Sequence, residues 1–213
     1  MASKDTEKLI EYYRNRKVTG TYDTQREGTE YRRQKRKLEL AAFLDLLDKK
    51  EGEKVLELGC SSGFLTAHLG KVTAIDTSEG MLEITRKKNP LAKCIAGDMF
   101  KMPFKPRSFD KVVTMRVWNH LDRGDLIRAI KESRRVLKDK GILVFDMEEK
   151  NLLRKIVNFF YKRIFHTTGY KIYQYSLDEV KAVLAGEGFK IEKLVWLRHK
   201  IGRQFVIRSR LTK

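Results

Sequence analysis

The sequence predicts an α/β fold: a mostly parallel sheet wrapped by helices and closed by an antiparallel hairpin. Three observations carry this expectation. Short apolar runs of strand length alternate with amphipathic segments of helix length five times between about residues 54 and 145. The first strand ends in Gly59, and the next two end at or near acids, Asp76 and Asp98. The last two β-rich runs, Phe189 to Leu197 and Gln204 to Arg210, face each other across Lys200-Ile-Gly202, as in a hairpin. The 213 residues, 41% of them hydrophobic, are enough for one sizeable core, so a single folded domain is expected.

The elements follow in order. Residues 4–16 read as a short polar helix, and Val18 to Gly28 as a glycine-containing connection. A longer helix is expected from about Thr29 to Asp48, with Leu40, Phe43, Leu44 and Leu47 as its apolar stripe. The buried-strand pattern Lys54 to Leu58 ends in Gly59, and a helix is expected from about Gly63. The second strand is Val72 to Ile75, ending at Asp76 and followed by a helix from Ser78 to Lys88. The third is Lys93 to Ala96, and the fourth is Phe109 to Met115. A helix from Asp122 to Leu137 turns Leu126, Ile127, Ile130 and Leu137 inward, before a fifth strand at Gly141 to Phe145. Ser176-Leu-Asp-Glu179 has the form of a capping box, opening a helix that runs to about Ala185 and ends near Gly186 and Gly188.

Composition narrows the function classes. No apolar run approaches membrane-spanning length, and Met1 to Arg16 has no apolar signal core, so an intracellular, cytoplasmic protein is expected. Cys60 and Cys94 make neither a disulfide framework nor a paired zinc motif, and no metal is expected. The net charge is +18, and residues 150–213 hold most of it, with 15 basic against 4 acidic side chains. Such a field favours anionic partners such as RNA, phosphorylated metabolites or acidic lipid headgroups. A Lys- and Glu-rich surface of a heat-adapted protein gives the same composition.

The strongest motif is Val55-Leu-Glu57-Leu-Gly59-Cys60-Ser61-Ser62-Gly63-Phe64-Leu65, a strand joined to the next element by a tight turn of small residues. Gly59 lets the chain turn and a ligand approach closely, and Gly63 allows close packing. A phosphate-binding P-loop is absent, and the dinucleotide fingerprint fails because Ser61 and Phe64 occupy its second and third glycine positions. Asp76, at the end of the second strand, is placed to accept both hydroxyls of a ribose. As structure alone it caps a helix, with Thr77 and Ser78 competing for that role. Asp98 is suited to accept from an adenine amino group, with Met99 as soft apolar contact to the ring. Phe109-Asp110 opens the fourth strand.

In this order the motifs resemble the class I S-adenosylmethionine-dependent methyltransferase family, with the nearest likeness to the small-molecule type, such as ubiquinone/menaquinone C-methyltransferases and their relatives. The likeness covers residues 36–148 well and extends to the closing helix and hairpin. It implies a Rossmann-like, seven-stranded, mostly parallel sheet with helices on both faces and an antiparallel C-terminal hairpin strand. It divides the chain into an N-terminal helical lid (1–35), a cofactor-binding core (36–148), a basic aromatic insert (149–175) and a closing helix and hairpin (176–213). It implies S-adenosylmethionine as cofactor and S-adenosylhomocysteine as product. Glu57 then faces the methionine amino group or the sulfonium. Gly59, Cys60, Ser61 and Gly63 form the turn beneath the methionine part, and serine stands at 61 where many members carry glycine. Asp76 holds the ribose, Thr77 and Met81 flank the adenosine, and Asp98 and Met99 take the adenine. Arg116 stands where the backbone often meets the methionine part. By analogy with family lids, Tyr22 and Tyr31 close over the cofactor.

The family reaction is an in-line methyl transfer, which needs a general base only when the acceptor keeps a proton until attack. His120, in Arg116-Val-Trp118-Asn119-His120-Leu121, is the candidate base; the alternative is that it starts the next helix and packs there. Trp118, Asn119 and Tyr170 are candidate acceptor contacts, and Trp118 is equally a packed anchor. No Asp/Asn-Pro-Pro-Tyr run follows the fourth strand, and none of Pro90, Pro103 and Pro106 precedes a cysteine, so the marks of nucleic-acid amino and cytosine C5 methylation are missing. The expected acceptor is a small or lipid-like molecule. RNA (tRNA or rRNA) is the alternative, and a non-catalytic cofactor-binding subunit is a third reading. In the insert, Phe159, Phe160, Tyr161 and Phe165 interleave with cations, which suits stacking on bases, contact with a membrane surface, or a lid helix packed inward.

Overall fold

The computed structural model describes residues 3–151, 171–198, 200 and 202–212, without the side chains of residues 16–20 and 25. Residues 152–170, the greater part of the insert 149–175 and with them Tyr170, lie outside these residues. Three helices open the chain: α1 (Lys4–Arg14), α2 (Arg16–Glu27) and α3 (Glu30–Leu47). Then come β1 (Val55–Leu58), β2 (Thr73–Asp76), α4 (Glu79–Lys88), β3 (Lys93–Ala96), β4 (Phe109–Thr114), α5 (Arg123–Val136) and β5 (Leu137–Glu148). The helix α6 (Leu177–Gly186) and the hairpin β6 (Phe189–Arg198) and β7 (Arg203–Leu211) follow the insert.

The seven strands lie in the order β3-β2-β1-β4-β5-β7-β6. The first five are parallel, and β7 runs antiparallel between β5 and β6. Helices cover both faces. On one, Trp118, Leu126 and Ile130 and the α6 residues Val180 and Leu184 pack on Leu56, Val112, Leu143 and Phe145. On the other, Phe43, Leu46 and Leu47 of α3 pack on Val55, Val113, Val144 and Val206. The strand order reverses between β1 and β4, and in open α/β sheets the crevice for ligands opens at the carboxyl ends of such strands.

Local chemistry sets most boundaries. Thr29 caps α3 by accepting from the Arg32 N–H, and Asp48 ends it in the left-handed region at φ 43°. Both halves of the Ser176–Glu179 capping box are made. Four expectations need correction. The connection from Val18 to Gly28 is largely helix α2, in spite of Gly20. Its contacts override weak propensity: the Asp23 carboxylate accepts from Ser62 Oγ and pairs with Lys88, both at 2.6 Å. No α-helix follows Gly63. Residues 66–68 form a single 3₁₀ turn, in which the Leu69 N–H donates to the Thr66 carbonyl (3.1 Å), and Asn89 Nδ2 ties the carbonyls of Thr66 (2.7 Å) and Gly70 (2.8 Å). Leu46, rather than Leu44, lies in the α3 core face, and Leu44 is exposed. The fifth strand is also longer than its apolar run, since pairing with β7 extends it to Glu148.

Candidate functional site

Two adjoining cavities open at the carboxyl ends of β1, β2, β3 and β4, and Tyr22, Gly59, Ser61, Met115 and Arg116 line both. The first is narrow, about 90 Å³. Asp76, Thr77, Met81, Asp98, Met99 and His120 contribute to its wall, and Leu9, Ile10 and Tyr13 of α1 cover it. The second holds about 420 Å³ and reaches Glu57, Cys60 and the first half of α3.

The turn after β1 is shaped by its tie to β2. The N–H groups of Gly59 (2.8 Å) and Cys60 (3.2 Å) both donate to the Ile75 carbonyl, and the Ser61 N–H donates to Asp76 Oδ2 at 2.8 Å. Gly59 sits at φ 64°, and a Cβ there would meet Val117 Cγ2 at 2.6 Å, so only glycine fits. Gly63 lines neither cavity. It lets the turn pack on α4, where a Cβ would meet Thr85 at 2.9 Å. Asp76 Oδ1 accepts from the Ser78 N–H at 2.9 Å, so the carboxylate does brace the helix start as well as line the cavity. Each of its oxygens keeps a lone pair for a further donor. Burial raises the Asp76 pKa, and the N–H groups of Ser78, Ser61 and Thr77 oppose that rise.

Glu57 is buried beneath the turn and accepts from Thr66 Oγ1 at 2.6 Å. Burial, with a smaller contribution from Asp76, pushes its pKa up to about 8, so at neutral pH it is mostly protonated. Burial likewise pushes the Cys60 thiol up, which makes it inert rather than nucleophilic. Asp98 accepts from the Phe100 N–H at 2.8 Å and, beside Met99, faces the first cavity.

Below Arg116 lies a buried polar network that the sequence does not announce. The Arg116 N–H donates to Asp146 Oδ1 (2.6 Å), while Asn119 Nδ2 (3.0 Å) and Gln204 Nε2 (2.5 Å) donate to Asp146 Oδ2. The Arg116 guanidinium pairs with the fully buried Glu39 at 2.8 Å. Burial opposes the charge on Arg116, but the carboxylates of Glu39, Asp146 and Glu148 outweigh it and hold its pKa above the ordinary value. Arg116 itself sits at φ 60°, fixed by this network.

Two expected acceptor contacts are corrected. Trp118 is not a cavity wall: it has no exposed surface and packs on Phe145 with ring centroids 4.9 Å apart. Asn119 is not directed at a ligand either, because its amide is used by Asp146 and by the Glu148 N–H at 2.6 Å. Both belong to a 3₁₀ turn whose side chains face the core. His120, next in that turn, does reach the first cavity. Its Nδ1 lies 3.2 Å from the Lys171 carbonyl, which can only accept, so Nδ1 carries the proton. Burial lowers the imidazole pKa to about 4, so the ring is neutral near pH 7.

That shift has a sign in stability. Unfolded, the ring takes a proton near its ordinary pKa of 6.5, whereas the native ring holds out to about 4. Native stability from this group is therefore complete above 6.5 and is lost as pH falls toward 4. Wild type is expected to lose roughly 2 kcal/mol more than His120→Gln between pH 6.5 and 4.5, at about 1.4 kcal/mol per pH unit. Parallel urea melts check this, and identical pH slopes would place the native pKa near 6.5.

α1 also forms part of the site, through Leu9, Ile10 and Tyr13. It is docked by Thr6 Oγ1 and the Ser3 N–H, both donating to Asp125 Oδ2, and by Tyr173 Oη donating to Asp5 at 2.6 Å. Its apolar side chains in a polar helix were the available signal. Tyr22 lines both cavities and Tyr31 the second. Among the described residues, no group of three or more His, Cys, Asp or Glu is placed to hold a metal. No described helix is long and apolar enough to cross a membrane.

Comparison with known proteins adds three findings. The profile of a family described as "Methyltransferase domain" matches residues 56–145. An uncharacterized protein of Methanocaldococcus jannaschii is 33% identical over 162 residues, 67% of this chain and 63% of that protein. The demethylmenaquinone methyltransferase of Thermotoga maritima is 30% identical over 174 residues, 70% of this chain and 75% of the enzyme. The chain thus spans somewhat less than two thirds of the first relative and three quarters of the second. In structure, the magnesium protoporphyrin IX methyltransferase of Synechocystis, solved with bound S-adenosylhomocysteine, superposes with a TM-score of 0.77 at 16% identity over 96% of this chain and 99% of that one. At that identity the likeness shows the fold.

Proposed function

Since the chain belongs to the class I S-adenosylmethionine-dependent methyltransferase family, we propose that it transfers the methyl group of that cofactor to a small-molecule acceptor through the two adjoining cavities. The observation that carries the reading is the pair of cavities meeting at Gly59, Ser61 and Arg116, at the strand-order reversal. The donor set suits the cofactor. Asp76 has lone pairs left for two ribose hydroxyls, and Met81 and Met99 offer an apolar slot for a base with Asp98 at its edge. At about 90 Å³ the first cavity is smaller than the roughly 300 Å³ of ordinary small-ligand sites, so admitting a nucleoside requires it to widen.

When bound, S-adenosylmethionine supplies an electrophilic methyl group on a sulfonium that leaves as a neutral thioether. The protein then has to align the acceptor and keep water out. Leu9, Ile10 and Tyr13 serve exclusion. The Glu57 carboxyl, protonated while the site is open, would give up its proton to solvent if the cofactor's ammonium group settled against it. The neutral His120 can accept an acceptor's proton at Nε2, though with a pKa of about 4 it is a weak base. The Thermotoga maritima relative, a demethylmenaquinone methyltransferase, supports a small-molecule acceptor for this chain too.

The test is methyl transfer from methyl-labelled S-adenosylmethionine into an extract of the source cells, separated into RNA, protein, lipid-extractable and small-molecule fractions. Label in the last two supports the proposal. Label confined to a nuclease-sensitive fraction would replace it with RNA methylation.

A further inference from the structure

The second cavity reaches past the turn after β1 to Phe64 and to Arg36 of α3. The Arg36 guanidinium lies 3.7 Å from the centroid of the Phe64 ring, a stacking distance. Its side chain lines the cavity and is only 12% exposed. Stacking leaves the N–H groups at the rim of the guanidinium, where there are five donors to satisfy.

Among the described residues these donors are not all used. Arg36 Nη1 is buried and makes no hydrogen bond. Glu27 stands 3.3 Å from it, as an ion pair outside hydrogen-bond geometry. Asp23, the other acid acting on Arg36, already accepts from Ser62 and Lys88. Burial outweighs the attraction of Glu27, Tyr22 and Asp23, and lowers the Arg36 pKa. The other cations of the cavity wall are placed differently. Arg116 donates to Glu39 at 2.8 Å, and Arg26, Arg32 and Lys35 each have partners of their own. Arg36 is thus a fixed guanidinium with a buried donor left over, which is costly unless an acceptor satisfies the group.

The cofactor brings such an acceptor. Its nucleoside suits the first cavity, so its methionine end passes the shared wall of Gly59, Ser61 and Arg116 into the second. We propose that Arg36 binds the carboxylate of that methionine end, and so makes cofactor affinity depend on the carboxylate. This inference rests on the cofactor reading above and adds a residue of α3 to the site. It does not require the cavity to be positive overall, because it rests on hydrogen-bond geometry. The planar fork of a guanidinium matches the two oxygens of a carboxylate.

The experiment is calorimetric titration of the full chain with two ligands, S-adenosylhomocysteine and its decarboxylated analogue, which lacks the carboxylate alone. Wild type is expected to bind the analogue at least about tenfold more weakly. Arg36→Met keeps an apolar stem against Phe64 and removes the guanidinium. It is expected to weaken S-adenosylhomocysteine about tenfold and to leave the analogue within about twofold of wild type. A thermal melt shows whether the variant is folded. If it is not, Arg36→Lys is read in the same way, with a smaller loss. The proposal is overturned if wild type binds both ligands equally. It is also overturned if a folded variant binds S-adenosylhomocysteine as wild type does, or weakens both ligands alike, since that marks a purely structural role. Failure of wild type to bind S-adenosylhomocysteine at all is a distinct result: it overturns the cofactor reading itself, and the assignment of Arg36 with it.

Discussion

Replacing Asp76 by alanine is expected to weaken binding of S-adenosylhomocysteine about a hundredfold. Hydrogen bonds to a charged group are worth about 1.5–3 kcal/mol each, and two ribose hydroxyls would lose their acceptor. A hundredfold is about 2.7 kcal/mol, the value of one such bond and just under the lower bound for two. The alanine variant also frees the N–H groups of Ser61 and Ser78, which loosens the turn that shapes both cavities. Asp76→Asn is the milder change: its amide oxygen accepts from only one of the Ser61 and Ser78 N–H groups, its NH2 faces the other, and the charge is lost. Calorimetry gives the affinity and a thermal melt shows whether each variant is folded. A folded alanine variant with an unchanged Kd would remove Asp76 from the cofactor site.

Asp146→Ala is expected to be the most destabilising single change in the network beneath the site, by about 3–5 kcal/mol. The Asp146 carboxylate is buried and accepts from the Arg116 N–H, Asn119 Nδ2 and Gln204 Nε2. Its loss strands three buried donors and releases Arg116 from the left-handed conformation it holds between the two cavities. For a chain of this size the midpoint of a thermal melt should fall by about 6–20 °C. A fall below about 3 °C would mean that the donors find other partners. Asp146→Asn keeps the shape but offers one acceptor and two donors, so an intermediate loss is expected.

These two acids show where reading the sequence succeeds and where it stops. Asp76 is legible because it ends an apolar run of strand length. Its neighbours in the site are legible for the same reason, since Gly59, Asp98 and Arg116 also follow runs of that kind. Asp146 is hidden inside such a run, Ile142 to Met147, where an acid reads as a solvent-facing alternation. Its burial follows from β7 lying against β5, a pairing that no local pattern encodes. The segment after Gly63 is likewise tied by a distant residue, since Asn89 donates to its carbonyls from about twenty residues away. Trp118 and Asn119 follow a strand that borders the site, but the 3₁₀ turn points them inward, and one or two residues of turn geometry are beyond periodicity.

The position of β7 also bears on how the chain reaches this structure. The strand synthesised last of the seven lies inside the sheet, and it joins Ile142 to Arg210, roughly seventy positions apart. Until it inserts, the edge of β5 from Ile142 to Glu148 presents bare backbone groups beside Phe145 and Met147. Open apolar edges of this kind recruit other chains. The interval between making β5 and delivering β7 is therefore one in which this edge lies open to pairing with other chains.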